Sequence, residues 1–189
     1  MTRVILASGS PRRRELLGSL GLEFEVKPAE IEERLHSEED PRRLVARLGT
    51  AKAEAVASRL PDALVIAADT VVVLDGEVLG KPRHSRENQD FLARLSGRSH
   101  LVYTGHALIY AGRKEVAVVR TVLTFRRLSG AEIDRYVATG EGADKAGGYA
   151  IQGVGAVLVA GIDGCYSNVI GLSVPTLIAA AERLGVFLV

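Results

Sequence analysis

Tryptophan is missing from this 189-residue sequence, cysteine and methionine occur once each, and four phenylalanines and five tyrosines are the only other large aromatic rings. A lone cysteine, Cys165, excludes an internal disulfide and suits a reducing compartment. Charge of one sign is lacking too. With 24 basic against 23 acidic residues the formal net charge is +1, so nothing argues for a general nucleic-acid or membrane surface. The basic stripe with interleaved stacking rings that a nucleic-acid binder needs is not there. No uncharged apolar run approaches the ~18 residues of a membrane span, and no basic stretch leads into a long apolar core in the manner of an export signal. These absences predict a soluble, cytoplasmic protein with no nucleic-acid or membrane partner. The four histidines show no metal-ligand spacing. There is no G-x-x-x-x-G-K-[ST] loop, no intact G-x-G-x-x-G after the first strand and no G-x-S-x-G elbow, so three common site architectures are excluded.

The length suits one domain over residues 1–189, or one domain with two lobes. A buried-strand run, Val4-Ile5-Leu6-Ala7, passes through Ser8-Gly9-Ser10 into a helix. Ser10 stands as its N-cap, Pro11 at its first position, and Leu16, Leu17 and Leu20 form its apolar stripe before Gly21. A second helix is predicted from Asp40-Pro41 to near Pro61, with Leu44, Val45, Leu48, Ala51 and Ala55 on one face and Lys52 at its border. The run Ala63 to Leu74 reads as a central strand or strand pair turned back at Asp75-Gly76. Ser85 caps a third helix in this reading. A hairpin turns at Ala111-Gly112-Arg113, and Ser129 to Glu132 is a capping-box pattern for a fourth helix. A glycine-rich loop, another strand and an amphipathic helix close the chain. Helices alternating with strands and long hairpins predict an α/β fold with a mixed, twisted sheet flanked by helices.

Three features carry chemistry. The first turn of the first helix holds Arg12, Arg13 and Arg14, at the helix end where cations are disfavoured. Small residues before a helix start, exposed N–H groups and guanidinium donors together make an oxyanion or phosphate site, and the alternative is a solvated basic turn. Asp69 interrupts a strongly apolar run, where an ionised carboxylate is costly unless it is paired or binds a metal. It is read either as a strand-end residue turned to solvent or as a metal ligand or general base. Glu32 and Glu33 offer a second carboxylate, or only a solvated acidic face. Lys81, in Gly80-Lys81-Pro82, sits where a rigid turn can aim it, while Lys52 is able to snorkel off its helix. Cation clusters with an isolated aspartate point to a metal–polyphosphate site.

The segments LASGSPRRREL, AADTVV, GKP, DKAGGYAIQG and VIGL occur in this order with the expected spacing, and they resemble the Maf family of nucleoside triphosphate pyrophosphatases over nearly the whole chain. The resemblance implies a two-lobed α/β fold with a central cleft, like that of the inosine triphosphate pyrophosphatases. It implies cleavage of a nucleoside triphosphate to monophosphate and pyrophosphate, a divalent cation (Mg²⁺ or Mn²⁺), a homodimer, and a house-cleaning role with a link to septum formation and cell division. Carried onto this sequence, the catalytic aspartate is Asp69, which with Glu33 would hold the metal; the substrate-binding residues are Ser8, Ser10, Arg12, Arg13, Lys52, Thr70, Lys81 and Gln152. The branch acting on dTTP and UTP has arginine, threonine and glutamine where this chain has Arg12, Thr70 and Gln152. The branch acting on 7-methyl-GTP has bulkier or acidic residues there and is the alternative, together with a nucleotide-binding regulator of septum formation. One departure is Ser173, where the family often reads Gly-Leu-Pro; the expected effect is on the local turn alone.

Overall fold

The computed structural model describes residues 2–31 and 39–189. In chain order the elements are β1 (Val4–Leu6), α1 (Pro11–Gly18), β2 (Glu25–Val26), α2 (Pro41–Ala57), β3 (Leu64–Leu74), β4 (Glu77–Leu79), α3 (Ser85–Leu95), β5 (Ser99–Tyr110), β6 (Arg113–Phe125), α4 (Gly130–Ala138), β7 (Val159–Asp163), α5 (Tyr166–Ile170) and α6 (Val174–Arg183). Two 3₁₀ turns, Ala146–Gly148 and Gly153–Leu158, lie between α4 and β7. The strands form one mixed sheet in the order β2-β1-β3-β5-β6-β7, with β4 paired to β3. The chain divides into two compact units, and β3, β5 and β6 each pass from one to the other along their length.

The first unit holds residues 1–69, 104–119 and 171–189. Its centre is β1, parallel to β2 on one side and to β3 on the other, with Leu6 opposite Val26 and Ile66. Strand alternation sorts its core. Val4, Leu6, Leu64, Ile66 and Ala68 face Leu17 of α1 and Leu177, Ala180 and Ala181 of α6. Ile5, Ala7, Val65 and Ala67 face Ala53 and Val56 of α2 on the opposite side. Burial on both faces is why these strands read as unbroken apolar runs instead of alternating ones. Because α1 leads to β2 and α2 leads back past β1 to β3, the two helices cover opposite faces, and strand order reverses at β1.

On α2 the buried positions are Leu44, Val45, Leu48, Gly49, Ala53 and Val56. The expected face included Ala51 and Ala55, which are only half-buried. Glycines explain the shift. A Cβ on Gly105 of β5 would lie 2.3 Å from the Val45 carbonyl, and one on Gly49 would lie 2.9 Å from the Gly105 carbonyl oxygen. Backbone therefore meets backbone, and the helix turns its glycine-bearing side to the sheet.

In the second unit, residues 70–103 and 120–170, β3 continues as one strand of 11 residues and not as a pair. Asp75 and Gly76 at φ 52° and 84° turn it into β4, as a two-residue hairpin of this twist requires. The capping box of α4 is present: the Ser129 hydroxyl accepts from Glu132 N and the Glu132 carboxylate from Ser129 N. At α3 the cap is His84, whose Nδ1 accepts from Glu87 N, so Ser85 is the first helical residue and not the cap. Phe125, His100 and Tyr149 pack edge to face with centroids 4.8 to 5.4 Å apart.

Substituting Gly105 by alanine is expected to cost about 1–3 kcal/mol, because the added carbon meets the main chain of α2 and no side chain can turn away. Urea unfolding of the Gly105→Ala protein measures it, and an unchanged midpoint would contradict the close approach. The buried histidines set a second expectation. Burial pushes His100 and His106 down from 6.5 to about 4, so the unfolded chain takes up their protons first. Their neutral forms cost nothing above the unfolded value, and stability is lost as pH falls from about 6.5 towards 4. Unfolding free energy should therefore decline over that window, and His106→Gln should flatten the decline; equal slopes in both proteins would refute this.

Candidate active site

The turn after β1 is organised by Ser8, which is buried. Its Oγ accepts from Ser10 N at 3.2 Å and from the Arg13 guanidinium at 3.1 Å. Arg13 Nε donates to the Gly171 carbonyl at 2.8 Å, so this guanidinium is fixed at two points despite lying in the first turn of α1. Ser10 occupies the N-cap position but makes no side-chain cap bond. The capping expected of its hydroxyl is not made; Ser8 instead takes the N–H of Ser10 itself and so fixes the turn that leads into the helix. Arg12 is half-buried and Arg14 exposed on the same turn.

The segment supplying Gly171 is held in turn. His106 on β5 is 1% exposed, and its Nε2 accepts from Ser173 N at 2.8 Å. The Ser173 hydroxyl pairs with Thr176 Oγ1 at 2.9 Å. A proline at 173 has no N–H, so the departure noted in the sequence does more than alter a turn: it gives His106 a donor and ties residues 171–173 to the sheet.

Asp69 lies near the middle of β3 and is 8% exposed. Lys52 Nζ reaches its Oδ1 at 2.6 Å, and each side chain is 12% exposed. Lys52 thus lies within the buried side of α2, between Gly49 and Ala53, instead of at its border. Arg47, one turn earlier, is hydrogen-bonded through Nε and a terminal nitrogen to the Glu39 carboxylate at 2.9 and 2.6 Å. That bond chiefly raises Arg47 above the ordinary guanidinium range, with the Asp69 charge adding to it.

Ser8 stands two residues beyond Leu6 and Asp69 three beyond Ile66, its partner across the ladder. Both lie past the carboxyl end of the β1–β3 ladder, which closes at Leu6 and Ile66 and where strand order reverses, while β3 itself runs on to Leu74. Crevices form there in open α/β sheets because successive helices depart to opposite faces. Within the first unit, then, Ser8, Ser10, Arg12 and Arg13 lie on the turn that follows β1, and the Lys52–Asp69 pair lies just past the ladder that joins β3 to β1. The second unit holds Thr70, which follows Asp69 on β3, along with Lys81 and Gln152. Lys81 is exposed; its turn is tied to the glycine-rich segment by Gly147 N donating to the Gly80 carbonyl at 3.0 Å. Gln152 is half-buried at the start of the 3₁₀ turn Gly153–Leu158. Glu32 and Glu33 lie outside the described residues.

Among the described residues no group of three His, Cys, Asp or Glu side chains is arranged to hold a metal ion. One buried carboxylate, Asp69, past the end of the β1–β3 ladder fits a hard cation that draws its remaining ligands from other oxygen donors and water, as Mg²⁺ commonly does. It does not fit an all-protein cage. Sequence reasoning missed His106, Arg47 and the Gly171 carbonyl. A lone histidine in a strand and a backbone carbonyl carry no sequence signal, whereas Arg47, one turn from Lys52, was there to be found.

Replacing Lys52 by methionine leaves the Asp69 charge buried without its partner, and is expected to cost about 3–5 kcal/mol of stability. Asp69→Asn in the same protein should restore much of that loss. A urea double-mutant cycle measures the coupling; additive losses would show that the pair is not energetically linked.

A family model described as Maf-like protein matches residues 3–184. A relative from Myxococcus xanthus is 54% identical over 185 residues, 97% of this chain and 93% of its own. Relatives from Moorella thermoacetica and Deinococcus radiodurans are each 51% identical, covering 99% and 97% of this chain and 96% and 94% of theirs. All three bear the name dTTP/UTP pyrophosphatase. Among solved structures a HAM1 protein from Coxiella burnetii aligns with a TM-score of 0.47 at 17% identity, over 68% of this chain and 75% of that one. At that distance the fold assignment rests on this chain's own strand order. With a family match over residues 3–184 and half-identical relatives along nearly its full length, the chain belongs to the Maf family.

Proposed function

We propose that this protein hydrolyses dTTP and UTP to the nucleoside monophosphate and pyrophosphate, with residues 1–189 acting as one catalytic domain. The observation that carries the chemistry is the buried Asp69–Lys52 pair in the middle of β3, just past its ladder with the strand that launches the arginine turn. The names of the half-identical relatives support the substrate. The triphosphate binds at the start of α1, where main-chain N–H groups point outward and Arg13, anchored on Ser8 and Gly171, presents a guanidinium to phosphate oxygens. Asp69 accepts a proton from the attacking water as the new O–P bond forms and the α–β bridging bond breaks, so that pyrophosphate leaves. Lys52 balances the charge on Asp69 and, with Lys81, offsets the charge that gathers on the leaving group. A divalent cation, Mg²⁺ or Mn²⁺, would be held by Asp69, by Glu33 and by the substrate's phosphates; when bound it polarises the phosphate and neutralises part of its charge. Arg12, Thr70 and Gln152 select the base. An amide able to donate and accept matches the O4 and N3–H edge of a pyrimidine, and a hydroxyl and a guanidinium supply further donors. We further propose a homodimer, supported by the exposed apolar side chains Val154, Val157, Ile162 and Tyr166.

With Mg²⁺ present, UTP should yield UMP and pyrophosphate in one step, and a chelator should stop turnover. Asp69→Asn keeps the shape of the side chain but loses its basicity, and should lower kcat at least ~10²-fold in a folded protein. Release of UDP with orthophosphate, or near-normal turnover in that variant, would defeat the reading.

A further inference from the structure

Gln152 belongs to a segment whose ends are fastened by side chains from elsewhere in the second unit. Tyr149 is buried with its Oη 2.7 Å from His100 Nε2. The next residue, Ala150, donates its N–H to Tyr136 Oη at 2.9 Å. Beyond Gln152, Glu141 accepts two main-chain N–H groups with its two oxygens, Val154 N on Oε1 at 2.9 Å and Gly155 N on Oε2 at 2.8 Å. Those are early N–H groups of the 3₁₀ turn Gly153–Leu158, the donors that a residue at the N-cap normally satisfies. Gln152 holds the N-cap position and makes no side-chain cap bond. Glu141, eleven residues earlier in the chain, performs that task instead.

The fit around the carboxylate is close. A Cβ on Gly153 would stand 2.2 Å from Glu141 Oε1, and Gly153 has φ +66°, so only glycine lets the chain turn there under the carboxylate. Glu141 is anchored as well: its carbonyl accepts from Lys145 Nζ at 2.6 Å, and Gly142 packs so tightly that a Cβ would meet the Gly148 carbonyl at 2.0 Å. Main chain is thus held at 150, 154 and 155, and the tyrosine ring at 149, around a glutamine whose amide is not spent on capping.

We infer that Glu141 is a positioning residue for base selection: by capping the 3₁₀ turn in place of Gln152, it holds the Gln152 amide in register to read the nucleobase. The inference rests on the proposed pyrimidine specificity and on Gln152 as a reader of the base. Without Glu141 the two N–H groups seek another acceptor, the amide oxygen of Gln152 is the nearest in sequence, and a residue occupied in capping cannot discriminate.

The test is the ratio of kcat/KM for UTP over GTP in the wild type, Gln152→Ala, Glu141→Ala and Glu141→Gln proteins, with circular dichroism and Tm as the check on folding. Glu141→Ala is expected to lower the ratio roughly tenfold, approaching Gln152→Ala, as the loss of one polar match to the base would. Glu141→Gln, which keeps one acceptor oxygen, should fall between Glu141→Ala and wild type, and it carries the test if the alanine variant does not fold. General damage to the protein lowers both substrates together and leaves the ratio where it was. A ratio that drops in Gln152→Ala but stays at the wild-type value in the folded Glu141 variants overturns the role of Glu141 and leaves the pyrimidine reading intact. A ratio unmoved by Gln152→Ala overturns Gln152 as the base reader, and the role of Glu141 with it.

Discussion

One carboxylate buried in an apolar strand constrains much of what surrounds it. Asp69 is 8% exposed in a strand whose other described positions are almost all apolar and buried, and an unpaired charge there would be several kcal/mol out of balance. Its compensation is the Lys52 ammonium at 2.6 Å. The same face of α2 lies close on the sheet, and that closeness requires glycine at 49 and 105, where backbone meets backbone. A lysine stem that on a looser helix would run out to water is here kept among buried neighbours. The Lys52–Asp69 contact and the packing of α2 on the sheet therefore share one helix face.

The arginine turn solves a different electrostatic difficulty. A guanidinium in the first turn of a helix faces unpaired N–H groups and a partial positive charge. Arg13 is nevertheless fixed, because the Gly171 carbonyl and the Ser8 hydroxyl both accept from it. The carbonyl belongs to a segment that His106 holds through Ser173 N, and a neutral imidazole is needed for that acceptance. Burial keeps His106 neutral over the physiological range by pushing its proton affinity down. Two sources of positive charge, the guanidinium of Arg13 and the amino end of α1, are thus held on one turn.

Much of this was legible along the chain. The strand–turn–helix opening, the Asp75-Gly76 hairpin, the Ser129–Glu132 capping box and the mixed α/β character follow from residue preferences acting over a few positions, which is why they survive unchanged in the fold. The chemical types at the site were readable for the same reason: an aspartate in an apolar run and arginines at a helix start are anomalies of local sequence. Misplaced features were those in which a neighbouring residue or a tertiary contact overrode the local signal. Ser10 looked like a cap and makes no cap bond; Ser85 looked like a cap and His84 supplies it; the face of α2 was rotated by its contact with Gly105.

Partnership is what periodicity could not convey. Lys52 is 17 residues from Asp69, Arg13 is 158 from Gly171, His106 is 67 from Ser173 and Glu141 is 13 and 14 from the N–H groups it caps. Local propensity says which groups are costly to bury and which are able to donate or accept. It does not say which donor will meet which acceptor, because that depends on the strand order and on how closely a helix can approach a sheet. Residue chemistry alone settled that this chain must compensate a buried carboxylate and a misplaced cluster of cations; tertiary packing chose Lys52 and Gly171 to do it, beside the Ser8 of the turn itself, since α2 and the segment held by His106 bring those groups within hydrogen-bonding distance.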